Sequence, residues 1–176
     1  MHAGLFVTLF FIGQVWIRLS IVNAPLAVPQ SLEYKILVYA NWLFIIVSFM
    51  VPSVFSPINL FISILLLLAS YALLYWSYSS IRNNYSLDIE PREDEHIIVQ
   101  EGPYRLIRNP IYLSYLLGFG SIIPLSLIYG FLAWIIIIVP LYVVRLLREE
   151  KRLEKKYEEE YLKYKEGTSR LIPFIY

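Results

Sequence analysis

The sequence predicts an all-α polytopic membrane protein with about five transmembrane helices and an amphipathic helix at its C-terminus. Hydrophobic residues make up 58% of the 176-residue chain, a larger share than soluble domains usually have. They are gathered in runs of roughly 20 residues, the length that a helix needs to cross a hydrocarbon layer about 30 Å thick. Charged residues, 16% of the chain, lie mostly between these runs or at their ends. The runs therefore belong in a bilayer.

Five spans are predicted within a single domain of residues 1–176, at residues 4–22, 36–55, 58–76, 111–128 and 130–147. The first three are separate apolar runs. The last two come from one apolar stretch that is too long for a single span, and Pro124 and Gly130 favour a tight hairpin near its middle. Pro140 lies inside the last span, where its missing N–H and its ring should kink the helix.

The basic residues predict the orientation. Every Lys and Arg lies toward the same side of the five spans, whereas the turns at 51–57 and 124–130 carry no charge. Positively charged loops are typically retained in the cytoplasm. We therefore expect the N-terminus outside and the C-terminus in the cytoplasm. The two polar segments, 77–110 and 148–176, would then both be cytoplasmic, together with any active site that they form.

Composition excludes several kinds of site. The chain has no cysteine, so disulfides, thiolate metal sites and thiol nucleophiles are absent. Only His2 and His96 are available as imidazole ligands, and we expect no metal. The 15 basic residues are interleaved with 14 acidic ones for a net charge of +1, which argues against a nucleic-acid partner. Neither a GxGxxG nor a GxxxxGK[ST] pattern is present.

A dense polar pattern precedes the fourth span, from residue 96 to residue 112. Asn109 is a good N-cap for a helix whose first residue is Pro110. Two interpretations of its Tyr and Arg side chains stay open. Tyr104, Arg108 and Tyr112 are typical of side chains that lie at a membrane interface. Equally, tyrosines can stack on a base or face a cation, and Arg can hold a carboxylate.

A second pattern follows the last span. Arg145 and Glu149 are four residues apart and share one face of a helix. They form either an ordinary ion pair at the membrane boundary or part of a binding site, in which Glu149 would accept hydrogen bonds from ribose hydroxyls. Apolar residues continue at three- and four-residue spacings through Leu153 and Tyr157. Residues 145–165 are therefore predicted to form an amphipathic helix that continues out of the span.

In their order and spacing, these pieces resemble the isoprenylcysteine carboxyl methyltransferase family of integral membrane methyltransferases, which is similar to phospholipid N-methyltransferases. The resemblance covers about residues 82–175. The matching pieces are His96 to Val99, Gly102-Pro103-Tyr104, Arg108-Asn109-Pro110-Ile111-Tyr112, Arg145 with Glu149, Glu159 to Tyr164, and Pro173-Phe174. Asn109 stands where the family has a histidine. It keeps the ability to hydrogen-bond but cannot titrate.

The resemblance implies S-adenosylmethionine as cofactor, bound between the loop before the fourth span and the helix after the fifth. The implied cofactor-binding residues are His96, Ile97, Ile98, Val99, Gly102, Tyr104, Arg108, Asn109, Pro110, Ile111, Tyr112, Glu149 and Glu150. Arg145 is the implied catalytic and substrate-binding residue, facing the carboxylate of the acceptor.

The leading hypothesis is O-methylation of a carboxylate on a lipid-tailed acceptor, an isoprenylcysteine-like small molecule or a prenylated protein, whose tail lies among membrane lipids. One alternative is N-methylation of a phospholipid or other amine, which needs a base such as Glu149 or Glu150. Another is a non-catalytic scaffold that docks a partner through its charged tail. Sterol reductases are more distant relatives. The sequence carries no signal for an oligomeric state.

Overall fold

The computed structural model describes residues 3–21, 32–81 and 98–173, which are almost entirely helical. The helices are α1 Gly4–Ile21, α2 Leu32–Met50, α3 Pro57–Ile81, α4 Pro110–Gly120, α5 Ile123–Ala133 and α6 Val139–Gly167. A short 3₁₀-helix, Gly102–Arg105, precedes α4, and a π-helical turn, Trp134–Ile138, joins α5 to α6. In the described part of the chain, β-pairing is limited to one isolated bridge between Ile107 and Ser169.

Four helical stretches of the described residues are long and apolar enough to cross a membrane: Gly4–Ile21, Leu32–Met50, Pro57–Ile81 and Ile123–Gly167. Large apolar side chains on their outer faces, such as Trp16, Ile46, Phe61 and Leu68, are more than half exposed. Such a surface suits lipid rather than water. These features confirm the predicted class, an all-α polytopic membrane protein.

Helix ends differ from the predicted spans, and at the end of α2 a proline is the cause. α2 occupies Leu32–Met50, so it begins and ends earlier than the predicted span 36–55. Pro52 accounts for its end, because a proline disfavours helical backbone at the preceding residue and supplies no N–H for the helix. A kink is predicted at Pro140. The helix departs from α-helical geometry just before this residue, in the π-helical turn Trp134–Ile138.

The predicted fourth and fifth spans form a hairpin. α4 has only 11 residues, about 16 Å of helix, and a short turn connects it to α5. The backbone leaves helical geometry at Leu127 (φ 48°, ψ −126°). Beyond that point the chain returns, since Trp134 Nε1 donates to the carbonyl of Leu116 at 2.9 Å. Leu127 lies between Pro124 and Gly130, where the sequence predicts the reversal.

The two ends of the bundle differ in charge. At one end, the N–H of Val54 donates to the carbonyl of Leu125 at 2.6 Å, which joins two turns that carry no charged residue. At the other end, Arg148 of α6 pairs with Glu33 of α2 at 2.9 Å. The charged side chains of α2 and α6 therefore meet at one end of the helices.

The C-terminal part of α6 folds back on itself, which the sequence does not predict. Glu158 has non-helical torsions (φ 43°, ψ −115°). Lys165 Nζ then lies 3.0 Å from Glu154 Oε2, although a rise of 11 residues along a straight helix is about 16 Å. The amphipathic helix is therefore two arms that meet at Glu158. The returning arm buries Tyr161 and Tyr164.

Aromatic rings fill the core between α1, α3 and α4. Phe10 is fully buried and lies 5.0 to 6.1 Å, between ring centroids, from Tyr71, Tyr115 and Phe119. Gly118 makes room for it, because a Cβ at that position would lie 2.3 Å from Phe10 Cε2. Small residues allow this kind of close approach between membrane helices.

Gly118→Ala should lower the free energy of unfolding by about 1–3 kcal/mol, the usual effect of overpacking a core, because the new methyl group collides with the Phe10 ring. The matched control is Gly167→Ala, where an added Cβ meets nothing within 4 Å. Thermal unfolding of the detergent-solubilised protein checks both. Equal midpoints for the two variants would contradict the packing described for α1 and α4.

Candidate functional site

A buried carboxylate joins the two polar segments. Glu150 of α6 is only 3% exposed. Its Oε1 accepts hydrogen bonds from Arg108 Nε at 3.1 Å and from Asn109 Nδ2 at 2.9 Å, and its Oε2 accepts from Arg170 Nε at 2.9 Å. Burying a charge is costly unless it is paired and hydrogen-bonded. This carboxylate therefore fixes the loop before α4 and the tail after α6 to the same point of α6.

Backbone pairing strengthens the same junction. The N–H of Arg108 donates to the carbonyl of Ser169 at 2.8 Å, and the N–H of Ser169 donates to the carbonyl of Leu106 at 3.1 Å. Arg108 Nη1 also donates to the carbonyls of Lys165 and Thr168, which lie at the end of α6. The guanidinium thus satisfies carbonyls that a helix C-terminus leaves without intrahelical donors.

The 3₁₀-helix before α4 packs between α3 and the tail. Gly102 has φ of +58°, a conformation that favours glycine, and a Cβ there would lie 2.1 Å from Ser80 Oγ. Both the backbone conformation and the lack of space therefore require glycine at this turn. Two residues later, the carbonyl of Tyr104 accepts a hydrogen bond from the Tyr164 hydroxyl at 2.7 Å. Both rings are buried. The fold-back of α6 is what brings Tyr164 to this loop.

Glu149 faces α4 next to Glu150. Its Oε2 accepts a hydrogen bond from the hydroxyl of Tyr112, which lies in the first turn of α4. Glu149 lies just beyond the apolar run that ends at Leu147. Burial raises the pKa of the Glu149 carboxyl above its ordinary value, and the hydrogen bond from Tyr112 and the charge of Arg145 offset part of that rise.

Arg145 lies between this pair and a groove. It interacts electrostatically with both Tyr112 and Glu149. It also lines a groove of about 370 Å³ between α2 and α6, a volume within the range of ligand-binding clefts. The groove has seven apolar lining residues and three charged ones, Glu33, Arg145 and Arg148. Arg145 therefore lies between a polar region, formed by Tyr112 and Glu149, and a largely apolar groove.

A family model described as phospholipid methyltransferase matches residues 58–160, which is more than half of the chain. The chain belongs to the phospholipid methyltransferase family. This family includes the isoprenylcysteine carboxyl methyltransferase-like membrane enzymes, so the resemblance carried by the sequence motifs is confirmed. A comparison with curated proteins found no significant match. Family membership identifies the chain as a membrane methyltransferase.

The match to phospholipid methyltransferases includes the residues that the structure joins. It spans α3, the loop before α4, the α4–α5 hairpin and α6 as far as residue 160. Arg108, Tyr112, Arg145 and Glu150 all lie inside it. α1 and α2 precede it, so the α2 side of the groove lies outside the part of the chain that carries the family pattern.

The predicted site residues before and within the first turn of α4 lie in successive parts of the loop and helix, and most of them are described. His96 and Ile97 lie outside the described residues, and Ile98 and Val99 are partly buried at the start of the described loop. Gly102 and Tyr104 form the 3₁₀-helix, while Pro110, Ile111 and Tyr112 form the first turn of α4. Arg108 and Asn109 both donate hydrogen bonds to Glu150. Their contact with a cofactor stays a prediction.

Two residues of the charged end were missed by the sequence reasoning. Arg170 binds Glu150, but nothing in its local sequence distinguishes it from the other basic residues of the tail. Glu33 lies at the groove and pairs with Arg148. A signal for Glu33 was present, because it is the first acidic residue in the sequence and the next is Asp88. An isolated acid at the start of an apolar helix is a reason to look for a functional partner.

Glu150→Gln should lower the free energy of unfolding by about 3 kcal/mol, because removing one charge of a buried pair leaves Arg108 without its counter-ion. Hydrogen exchange should rise at the backbone amides of residues 106–108 and 169. The matched control is Glu154→Gln, whose ion pair with Lys165 is partly exposed and should matter by less than about 1 kcal/mol. Similar losses in both variants would show that Glu150 is not the junction described.

Proposed function

We propose that this membrane methyltransferase uses S-adenosylmethionine to methylate the carboxylate of a lipid-tailed acceptor, at the end of the bundle that faces the cytoplasm. The observation that carries the proposal is the position of Arg145. On one side it interacts with Tyr112 and Glu149, and on the other it lines the largely apolar groove between α2 and α6. A methyl donor and a lipid acceptor must meet at one point, and Arg145 lies where the two regions adjoin.

The residues on the α4 side suit the proposed donor. S-adenosylmethionine supplies an electrophilic methyl group carried on a positively charged sulfonium. Tyr112 contributes an aromatic ring, and Glu149 contributes a carboxylate that can accept hydrogen bonds or face a positive charge. Both are held in place because Glu150 fixes the loop that begins α4. His96 to Val99, Gly102 and Tyr104 complete the donor site in this proposal.

The acceptor side needs orientation more than acid–base chemistry. A carboxylate is ionised at neutral pH, so it is already a nucleophile and requires no general base. Arg145 would hold it by paired hydrogen bonds in a fixed plane. Displacement at a methyl carbon depends on alignment of the attacking oxygen with the bond that breaks, and on exclusion of water. Its position at the end of the apolar span gives Arg145 a poorly hydrated setting for that alignment.

Methylation of an amine headgroup is the second candidate, and two observations favour it. The family is described as phospholipid methyltransferase, and Glu149, whose pKa is raised by burial, is a carboxylate that accepts a proton more readily than an exposed one. An ammonium group must lose a proton before it can attack a methyl carbon. In this scheme Glu149 is the base. The two candidates differ in what they require of Arg145 and in their dependence on pH.

Arg145→Gln should lower kcat/KM for a lipid carboxylate at least about 10- to 100-fold, the effect of losing a charge-assisted hydrogen bond of about 1.5–3 kcal/mol. Affinity for S-adenosylmethionine, measured by isothermal titration, should change little. Lys151→Gln removes a positive charge from an exposed position of the same helix and serves as the control. Undiminished turnover in Arg145→Gln would remove Arg145 from the mechanism. If the native chain did not bind the methyl donor, the result would favour the non-catalytic scaffold.

The product and the pH profile together separate the two acceptors. With a radiolabelled methyl donor and native membranes, a methyl ester releases its label in base, whereas a methylated amine retains it. For a carboxylate acceptor the rate should be flat between about pH 7 and pH 9, because the carboxylate is fully ionised there. For an amine acceptor the rate should rise across the same range as the ammonium group deprotonates. A base-stable label together with a rising profile would overturn the carboxylate proposal.

A further inference from the structure

The groove between α2 and α6 reaches the charged end of the bundle, where Glu33 and Arg148 line it. α2 packs against the π-helical turn Trp134–Ile138. Below the groove, Asn41 Nδ2 lies 3.1 Å from the hydroxyl of Tyr142, and this buried contact joins the two helices. Ile36 and Val144 line the groove and are about half exposed. The groove is therefore closed at its base and open sideways to lipid.

One ion-pair cluster spans the open end of this groove. Glu33 Oε1 lies 2.9 Å from Arg148 Nη1 and 3.5 Å from Arg152 Nη2. Arg145, Arg148 and Arg152 follow each other at three- and four-residue spacings, so they lie along one face of α6. Glu33 is the α2 side chain that meets this face. Glu33 thus pairs with two of these three arginines, Arg148 and Arg152, at the end of an apolar channel.

The pairing of Glu33 is weak enough to exchange. The Arg148 side chain is 56% exposed and the Glu33 side chain 29%, and ion pairs at such exposure contribute little to stability. An acceptor carboxylate brings the same charge as Glu33 and can form paired hydrogen bonds with a guanidinium. It also brings a hydrocarbon tail, which can pack against Ala40 and Leu141 in the groove. The acceptor therefore competes with Glu33 for the arginines.

We propose that the α2–α6 groove is the acceptor site, and that Glu33 is an internal stand-in for the acceptor's anionic head group. A lipid carboxylate enters sideways from the bilayer, its tail fills the groove, and its head group binds Arg145 and displaces Glu33 from the neighbouring Arg148. Glu33 thereby sets the selectivity of the groove. Its carboxylate must be displaced by every anionic ligand, while neutral lipids cannot displace it. This inference rests on the proposed carboxylate acceptor, and it assigns to α2 a role that the family pattern does not cover.

Binding of a fluorescent long-chain fatty acid to the full chain in detergent, without methyl donor, tests the proposal. Glu33→Gln should tighten binding about two- to five-fold, because the arginines no longer have an internal competitor. Glu166→Gln removes an exposed acid from the far arm of α6 and should leave binding unchanged. A probe with the same tail and a quaternary ammonium head should not gain affinity in Glu33→Gln. Weaker or unchanged fatty-acid binding in Glu33→Gln would overturn the stand-in role.

A second pair of variants tests the groove itself. Ala40→Trp fills the channel and should weaken fatty-acid binding at least ten-fold. Leu43→Trp places the same ring on a lipid-facing position of α2 and should have no effect. Val144→Trp approaches the groove from α6 and should repeat the loss if Ala40→Trp fails to fold. Native affinity in a folded groove-filling variant would overturn the site. Failure of the native chain to methylate any lipid carboxylate would instead count against the proposed function, because probe binding is measured without donor.

Discussion

The charged end of this protein depends on the buried carboxylate of Glu150. It accepts hydrogen bonds from Arg108, Asn109 and Arg170, which come from the loop before α4 and from the tail after α6. Because Arg108 and Asn109 directly precede the first turn of α4, fixing them also fixes Tyr112. Because Arg170 follows α6, fixing it holds the returning arm against the loop. Without this counter-charge, the guanidinium groups of Arg108 and Arg170 would lose their shared partner, and only the backbone bonds and those of Arg108 Nη1 and Tyr164 would join the loop to the tail.

α6 presents two different faces to its neighbours, and this is the basis of the functional account. Tyr142, Leu146 and Glu149 face α4, whereas Leu141, Val144 and Arg148 face the groove beside α2. Arg145 lies at the border. In this way the helix places the proposed donor region, which is polar, next to the proposed acceptor region, which is apolar, with one side chain between them. Enzymes that join a charged cosubstrate to a lipid need this proximity.

Much of the fold follows from the sequence, because the bilayer imposes length and backbone hydrogen bonding on each span. The reversal between Pro124 and Gly130 was likewise predicted by the residues themselves. The fold-back at Glu158 was not, since no glycine or proline marks it. Its causes are tertiary, namely the bonds of Arg108 to the end of α6 and of Tyr164 to Tyr104. The site shows the same division. Local spacing placed Arg145 and Glu149 on one face of a helix, and the resemblance supplied the expected roles of both and of Tyr112. Pairs such as Glu33–Arg148 join residues distant in sequence, so neither source predicted them.

In our proposal, the loop before α4 and the face of α6 around Glu149 form one donor site, and Arg145 lies between that site and the groove. An experimental structure of the protein with S-adenosylhomocysteine bound tests it most directly. We expect S-adenosylhomocysteine to bind against Tyr112 and Glu149, on the α4 side of α6. The hydrogen bonds of Glu150 to Arg108, Asn109 and Arg170 should stay intact. Product bound away from both residues, or Glu150 separated from Arg108 in the complex, would contradict it.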